Sequence, residues 1–137
     1  RELERLKRIA KAEGIYEDQR FRDEIAKLEV DIVALEMMVL RVLSAEKSGK
    51  QSLDVAGLLK IRGSEIQQRY SELMMLAAGP AAVPLRQDLV AAGWQPDQDP
   101  GEFVAPLAGT YFNMRKTTIY GGSNEVQRNI VAQTVLG

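Results

Sequence analysis

The sequence predicts an all-α protein, an antiparallel up-and-down four-helix bundle with a loop-rich excursion before the last helices. Three observations support this prediction. Apolar residues recur at alternating spacings of three and four along much of the chain. The stretch from Tyr16 to Ser48 contains neither glycine nor proline. All 5 prolines fall between residues 80 and 106. With 137 residues, the chain is expected to form a single domain, residues 1–137.

The first two helices follow from the apolar spacing. Residues 1–13 carry one apolar face formed by Leu3, Leu6, Ile9 and Ala10, and Gly14 ends this helix. The second helix, Tyr16 to Ser48, has a core stripe made of Phe21, Ile25, Leu28, Ile32, Leu35, Val39 and Val42. A second stripe widens the apolar face and predicts contacts with other subunits or domains: Ala26, Val33, Met37 and Leu40.

Turn-forming residues separate the remaining helices. Gly49 closes the second helix, and Ser52 can cap a third helix from Leu53 to Ala78. The apolar residues of this third helix are expected to face mostly inward: Val55, Leu58, Leu59, Ile61, Ile66, Tyr70, Leu73 and Leu76. The excursion, residues 80–106, contains Trp94 and Phe103 and is expected to pack on the bundle or on a partner subunit. A short helix is expected over residues 107–118. A final helix is expected over residues 124–135, with four apolar residues available for burial: Val126, Ile130, Val131 and Val135. The first helix has no capping residue ahead of it, so the chain is expected to be a fragment of a longer protein.

Composition excludes several classes of function. The net charge is -1, which gives no overall attraction to nucleic acid. Cysteine and histidine are both absent, which removes disulfides, Ser-His-Asp arrangements and histidine-ligated metals. A ferritin-like di-metal bundle needs paired Glu-x-x-His motifs and is therefore disfavoured. No apolar run reaches the roughly 20 residues that a membrane span needs. We expect a cytoplasmic protein without a metal site.

The segment "GGSNE", residues 121–125, is the strongest candidate site. A helix N-terminus carries unpaired amide hydrogens and a partial positive charge, and glycines before it let a ligand approach the backbone closely. Ser123 adds a hydroxyl group. The alternative is purely structural, because Asn124 with Gln127 three residues later also fits a capping box. These residues alone leave both interpretations open.

The last 21 residues, "TTIYGGSNEVQRNIVAQTVLG", resemble the C-terminal signature of the acyl-CoA dehydrogenase family. Bacterial members of that family commonly close on Tyr-Gly-Gly-Thr-x-Glu-Ile-Gln-Arg-Asn, followed by a helix. The order of the preceding helices is similar to that of the family's C-terminal helical domain, so the resemblance covers nearly the whole chain at this coarser level. It implies FAD as cofactor, an acyl-CoA substrate for the full protein, and a homo- or hetero-oligomer, dimer or tetramer, held through the bundle.

Site residues follow from this resemblance position by position. Arg8 falls where the family places an arginine that reaches the FAD of a neighbouring subunit. Gln19 falls on a glutamine that helps to hold the same cofactor. Gly122 and Ser123 match residues that approach FAD, and Glu125 sits where an acidic or amide side chain faces the adenosine end. The resemblance thus implies the following cofactor contacts: Arg8, Gln19, Gly121, Gly122, Ser123 and Glu125.

Gly121 bears on the chemistry. In one branch of the family, this position is the glutamate that removes the α-proton of the acyl thioester, and glycine cannot do so. Other branches supply the base from a helix that precedes this segment. The resemblance therefore implies no catalytic residue in this chain, and we expect the isolated segment to be inactive. Other carboxylates, Asp97, Asp99, Glu102 and Glu72, are expected to be surface charges.

A second interpretation is a non-catalytic assembly subunit, or a helical interaction module, derived from the same family. It is motivated by Gly121 and by two departures at the end of the third helix. There Met75 replaces the family's usual glutamine, and Ala78 replaces the first glycine of a pair whose second member is Gly79. The residues of this chain leave the two interpretations open.

Overall fold

The computed structural model describes residues 1–47, 53–84, 87 and 104–136, and the regular structure within these ranges is helical. Five α-helices are described there: α1 (Glu2–Ala12), α2 (Gln19–Lys47), α3 (Leu53–Ala78), α4 (Leu107–Met114) and α5 (Asn124–Leu136). Short 3-10 helices precede α2 and follow α3 and α4: Ile15–Glu17, Gly79–Ala82 and Arg115–Thr118. The all-α prediction is confirmed.

Ion pairs between neighbouring helices give the directions of α2 and α3. Glu24 pairs with Arg69, and Asp31, seven residues further along α2, pairs with Arg62, seven residues earlier in α3. The two helices are therefore antiparallel. Glu65 pairs with Arg62 at 2.8 Å and with Arg128 of α5 at 3.1 Å, so a ladder of charged residues crosses three helices.

The helices α4 and α5 together occupy the fourth helix position of the bundle. The end of α4 lies beside Gln68, whose side-chain amide donates to the carbonyl of Met114 at 3.2 Å. The start of α5 lies beside Ser64, which bonds to Asn124. Thus α4 and α5 pass along α3 one after the other, in the direction opposite to α3.

The hydrophobic core lies at one end of the bundle, where α1, the start of α2, the end of α3 and α4 meet. Its largest fully buried side chains are Leu6, Leu28, Leu73 and Met74. This arrangement agrees with the apolar face expected of the first helix and with the first half of the stripe expected on the second. Burial of this surface is the main source of stability at this end.

The opposite end leaves much apolar surface in water. Along α2, the exposed fraction is 67% for Val30, 49% for Val33, 54% for Met37 and 57% for Leu40. These four residues, spaced by three, four and three, form one stripe, which we call the outer stripe. On α5, apolar side chains that the spacing made available for burial are also exposed, namely Val126, Ile130 and Val135.

Several boundaries differ from the sequence prediction. The second helix begins at Gln19 rather than Tyr16 because residues 15–17 form a 3-10 turn and Asp18 is extended. The carboxylate of Asp18 then accepts the backbone N–H of Arg20 at 2.8 Å. The helix predicted for residues 107–118 ends at Met114 and continues as a 3-10 turn. Leu58 and Leu76, expected to face inward on the third helix, are exposed.

Some predicted features lie outside the described residues. These are the end of the second helix at Ser48 and Gly49, the cap at Ser52, and Trp94 and Phe103 of the excursion. Of the expected excursion, residues 79–82 form a 3-10 helix that buries Ala82. Within the described part of the chain, none of the helices combines the length and the apolarity that a bilayer crossing requires.

Candidate functional site

The segment from Ile119 to Ser123, which we call the glycine turn, joins the last 3-10 helix to α5. Gly121 and Gly122 adopt left-handed backbone conformations, with φ of 69° and 87°. Any other L-residue would be strained at these angles, which explains the glycine pair physically. Both glycines are exposed, together with Ile119 and Tyr120. The turn is therefore accessible from outside this chain.

The glycine turn has backbone N–H groups that are free to donate hydrogen bonds to a ligand. Among the described residues, the N–H groups of Gly121 and Gly122 have no hydrogen-bond partner. Ser123 caps α5, because its Oγ accepts the N–H of Val126 at 3.4 Å. The expected capping box is wrong in one respect: the side chain of Asn124 turns away from the helix end and bonds to α3. The helix end is thus capped by one side chain, with unpaired amides just before it.

Glu125 gives the site an acidic side. A bond from its own backbone N–H, and then one from the Ser123 hydroxyl, lower the pKa of the Glu125 carboxyl. The fully exposed carboxylate is therefore ionised at neutral pH and can only accept hydrogen bonds. Its charge offsets the partial positive charge of the helix end. Such a site favours a hydroxyl or amine donor of a ligand beside the carboxylate, with acceptors at the glycine amides.

Gln127 lies over the turn from inside α5. Its Nε2 donates to the carbonyl of Gly121 at 3.1 Å. A Cβ atom added to Gly122 would lie 2.6 Å from the same nitrogen, closer than any real contact. Gly122 is therefore required by its backbone angle, and a methyl group there would in addition displace the flexible end of the Gln127 side chain. A Cβ on Gly121 would meet no atom within 4 Å, so that side of the turn is open.

A cavity of about 330 Å³ separates the turn from α3. Its walls include Tyr120 and Gly121 from the turn side and Lys60, Gly63 and Ser64 from α3. A Cβ on Gly63 would also meet nothing within 4 Å, so two glycines on facing walls enlarge this space. Lys60 brings a positive charge to this cavity, and its ammonium donates to the side-chain oxygen of Asn124 at 2.7 Å.

Arg8 and Gln19 lie elsewhere in the chain. Arg8 is exposed on α1, and its side chain makes no ion pair or hydrogen bond within the part of the chain described. Gln19 is exposed at the start of α2, where it bonds to Asp23 at 2.7 Å and accepts from Arg22 at 2.6 Å. The ion pairs between α2 and α3 place Ser64 level with about residue 29 of α2. Gln19 lies ten residues from that level, which is about 15 Å along the helix. Within a single chain, the two groups therefore do not line one site.

Three residues that sequence reasoning missed hold the turn: Lys60, Ser64 and Asn124. Ser64, Asn124 and Thr117 are buried polar residues, with exposed fractions of 6%, 5% and 3%. A signal for them was present, since Lys60, Ser64 and Gln68 recur every four residues along α3. The approach of residues 117 and 124 to this row could not be read from the local sequence.

One of the four carboxylates that were expected to be surface charges lies in the described part of the chain. Glu72 is paired with Arg69 at 2.6 Å, as expected of a surface charge. Asp97, Asp99 and Glu102 lie outside the described residues. Within the residues that the structure describes, no group of three or more acidic side chains could hold a metal ion.

Comparisons with known proteins agree with the fold and with the signature. The chain is 28% identical to acyl-CoA dehydrogenase IpdE1 of Mycolicibacterium smegmatis over 137 residues, which cover 100% of this chain and 30% of that protein. It is also 28% identical over 140 residues to IpdE1 of Mycobacterium tuberculosis, covering 31% of it. The chain thus spans about 30% of the length of these relatives.

A solved structure described as the Tcur3481-Tcur3483 steroid ACAD has a similar fold, with a TM-score of 0.73 and 22% sequence identity. The similarity covers 98% of this chain and 33% of that one. Residues 3–136 match the family described as acyl-CoA dehydrogenase, C-terminal domain. The chain therefore belongs to the acyl-CoA dehydrogenase family, as its C-terminal helical domain.

Proposed function

We propose that this chain is the FAD-binding and oligomerisation domain of a flavin-dependent acyl-CoA dehydrogenase. In the complete protein, the reaction would be the α,β-dehydrogenation of an acyl-CoA thioester. The observation that supports the proposal most directly is the glycine turn. It is exposed, has unpaired amide donors in the described structure, and lies at the N-terminus of α5.

The donors and acceptors of the turn fit a flavin nucleotide. The free N–H groups of Gly121 and Gly122 suit acceptor oxygens, and the ionised Glu125 suits a ribose hydroxyl or an adenine amine. Ser123 carries a hydroxyl that can serve either partner. The acidic side chain makes a phosphate group directly beside it unfavourable. We therefore propose that this turn takes the adenosine side of FAD.

Arg8 and Gln19 would act on a different copy of the cofactor. Their distance along the bundle from the glycine turn is compatible with FAD bound between subunits, where each chain contributes one group to each of two sites. Arg8, exposed and without an ion-pair partner in the described structure, is available for such a contact.

FAD, when bound, would supply the hydride acceptor of the reaction. The residues of this chain would orient the nucleotide and exclude water from it. Gly121 carries no side chain, so the proton acceptor is proposed to lie outside this chain. On this proposal, the isolated domain has no turnover of its own.

The proposal can be tested by comparing how an alanine at Gly122 and an alanine at Gly14 change the affinity for FAD. Both have left-handed backbones, with φ of 87° and 79°, so an alanine strains the backbone of each to a similar extent, and at Gly122 the added methyl group also displaces the end of the Gln127 side chain. We expect Gly122→Ala in the complete polypeptide to weaken FAD binding, measured by flavin fluorescence titration, by on the order of tenfold. Gly14→Ala should leave it unchanged. Equal affinities for the two variants, or no FAD binding by the unsubstituted protein, would contradict the proposal.

The outer stripe on α2 is proposed as part of the subunit contact. Its four apolar side chains lie along a single face of the helix and exceed the scattered exposure expected of a monomer. We expect Met37→Glu to dissociate the oligomer, measured by size-exclusion chromatography with light scattering. The same charge placed on α1 by Ala12→Glu should not. An unsubstituted protein that stays monomeric at all concentrations would contradict this part of the proposal.

A second candidate is a non-catalytic subunit of a mixed oligomer, favoured by the absence of a side chain at Gly121. The two candidates differ in what precedes this domain in the complete polypeptide. A glutamate or aspartate at the family's alternative base position, together with turnover by the purified protein alone, supports the enzyme. Turnover only after addition of a second subunit supports the assembly role. For either, a cytoplasmic location is proposed, which agrees with the absence of cysteine.

A further inference from the structure

The glycine turn packs against a small cluster of buried polar side chains centred on Ser64 of α3. Ser64 contacts both ends of the segment. The Thr117 hydroxyl donates to the Met114 carbonyl at 2.7 Å and lies 3.5 Å from the backbone carbonyl of Ser64, whose Oγ accepts from the side-chain nitrogen of Asn124 at 3.2 Å. Residues 118–123 therefore form a loop whose two ends both lie beside Ser64. The exposed glycines are the tip of this loop.

Asn124 makes the strongest of these contacts. Its side-chain oxygen accepts from the Lys60 ammonium at 2.7 Å and lies 3.3 Å from the Ser64 hydroxyl. Its exposed fraction is 5%, so the amide group itself is shielded from water. A buried amide without partners costs free energy, whereas these bonds leave it satisfied in one orientation. The residue that follows the turn is thus fixed in position and direction.

Gln68 anchors the segment before the turn in the same way. Its side-chain nitrogen donates to the carbonyls of Met114 and Arg115 at 3.2 and 3.1 Å. Lys60, Ser64 and Gln68 are spaced by four residues and so lie along one face of α3. A single rigid helix thereby sets the position of the chain on both sides of the glycine pair.

From this arrangement, we infer that Asn124 is the positioning residue of the cofactor site, holding the free amides of the turn in the orientation that binds the nucleotide. The inference rests on the proposed function. Glycine permits many backbone conformations, so apart from the bond from Gln127 to the Gly121 carbonyl, the order of the turn depends on the residues that flank it. Ordering it before the ligand arrives removes an entropic cost from binding.

The matched test compares Asn124→Ala with Asn129→Ala in the complete polypeptide. Asn129 lies on the same helix and is exposed, so the chemical change is the same but the bonds to α3 stay intact. Asn124→Asp is the conservative variant, since it keeps an acceptor for Lys60. Two quantities are measured: amide hydrogen exchange of residues 119–126 without ligand, and the dissociation constant of FAD from flavin fluorescence.

We expect Asn124→Ala to speed exchange in the turn and to weaken FAD binding, each by on the order of tenfold. Asn129→Ala should change neither quantity, and Asn124→Asp should restore both to within about threefold of the unsubstituted protein. A core variant, Leu28→Val, separates positioning from general stability. At an equal loss of melting temperature, it should leave FAD affinity unchanged.

The outcomes separate this inference from the proposed function. If Gly122→Ala weakens FAD binding but Asn124→Ala affects neither exchange nor affinity, the inference is overturned while the FAD site stands. If the unsubstituted protein binds no FAD, the proposed function fails, and the cofactor role of Asn124 fails with it. If Leu28→Val weakens FAD as much as Asn124→Ala does, Asn124 contributes only to general stability and the inference is again overturned.

Discussion

Two glycines within α3 allow the packing of this helix to be tested with one kind of substitution. Gly57 and Gly63 are both helical and should each cost stability relative to alanine. Their surroundings differ. A Cβ on Gly57 would lie 3.0 Å from the Gln127 side-chain oxygen and 3.0 Å from a methyl group of Val131, whereas a Cβ on Gly63 would meet nothing within 4 Å.

The opposite signs of the two effects follow from these distances. Replacing glycine by alanine in a helix interior stabilises it by about 1 kcal/mol. At Gly63 nothing opposes this gain. At Gly57, the new methyl group must displace two side chains of α5, and overpacking of this kind costs about 2 kcal/mol. We therefore expect Gly63→Ala to stabilise by about 1 kcal/mol and Gly57→Ala to destabilise by about 1 kcal/mol.

Thermal unfolding followed by far-UV circular dichroism measures the difference. For a chain of this size, about 2 kcal/mol corresponds to roughly 8 °C in melting temperature. Equal stabilisation by both substitutions would refute the reasoning, because it would mean that α5 does not approach α3 closely at Gly57. Destabilisation by both would instead refute the assignment of open space beside Gly63.

The remaining predictions concern pH. Burial, and then the hydrogen bond to Glu2, raise the pKa of the Tyr70 phenol, so the free energy of unfolding should decline as pH rises above about 10. Tyr70→Phe should lessen that decline in urea titrations at alkaline pH, and an unchanged slope would contradict it. Hydrogen bonds from Lys27, and then Arg69, lower the pKa of Glu24, so its contribution is present above about pH 4.3 and is lost as pH falls through the lowered folded-state value. Glu24→Gln should flatten the acid limb of the same titration, and an acid limb that stays equally steep would rule this out.

Much of the fold could be predicted because the signals were local. The period of the apolar residues gave all five described helices, and the left-handed Gly14 ended the first one as expected. The errors were at boundaries where short-range bonding competes with the helix. Asp18 caps α2 three residues later than the apolar pattern suggested, and the chain after Met114 tightens to a 3-10 turn.

Burial was harder to predict than helicity. The spacing of Val33, Met37 and Leu40 indicates an apolar face, but a period does not say which surface covers it. In this chain the face is exposed, while Leu6 and Leu28 at the other end are fully buried. The same limit explains why Leu76 was wrongly placed inside, since a helix with apolar residues on more than one side has no unique inward direction.

In the candidate site, too, the residues with local roles could be predicted and those that depend on distant contacts could not. Gly121, Gly122 and Ser123 could be nominated because their roles depend on their own backbone and on the adjacent helix end. Asn124 could not, because its role depends on Ser64, sixty residues earlier in the chain. Local sequence favoured a cap for Asn124, and tertiary contacts overrode that preference.

The two halves of α3 have different roles, which explains why an exposed, glycine-rich turn can still be ordered. The C-terminal half of this helix, with Leu73 and Met74, is buried in the core and fixes the helix in place. The other half is less covered but carries Lys60 and Ser64, which extend that fixed frame to the start of α5. Rigidity thus reaches the turn through side-chain bonds to a helix that is anchored elsewhere. The glycines at the tip can stay free of side chains, so their amides remain accessible to a ligand, because their neighbours provide the order that glycine lacks.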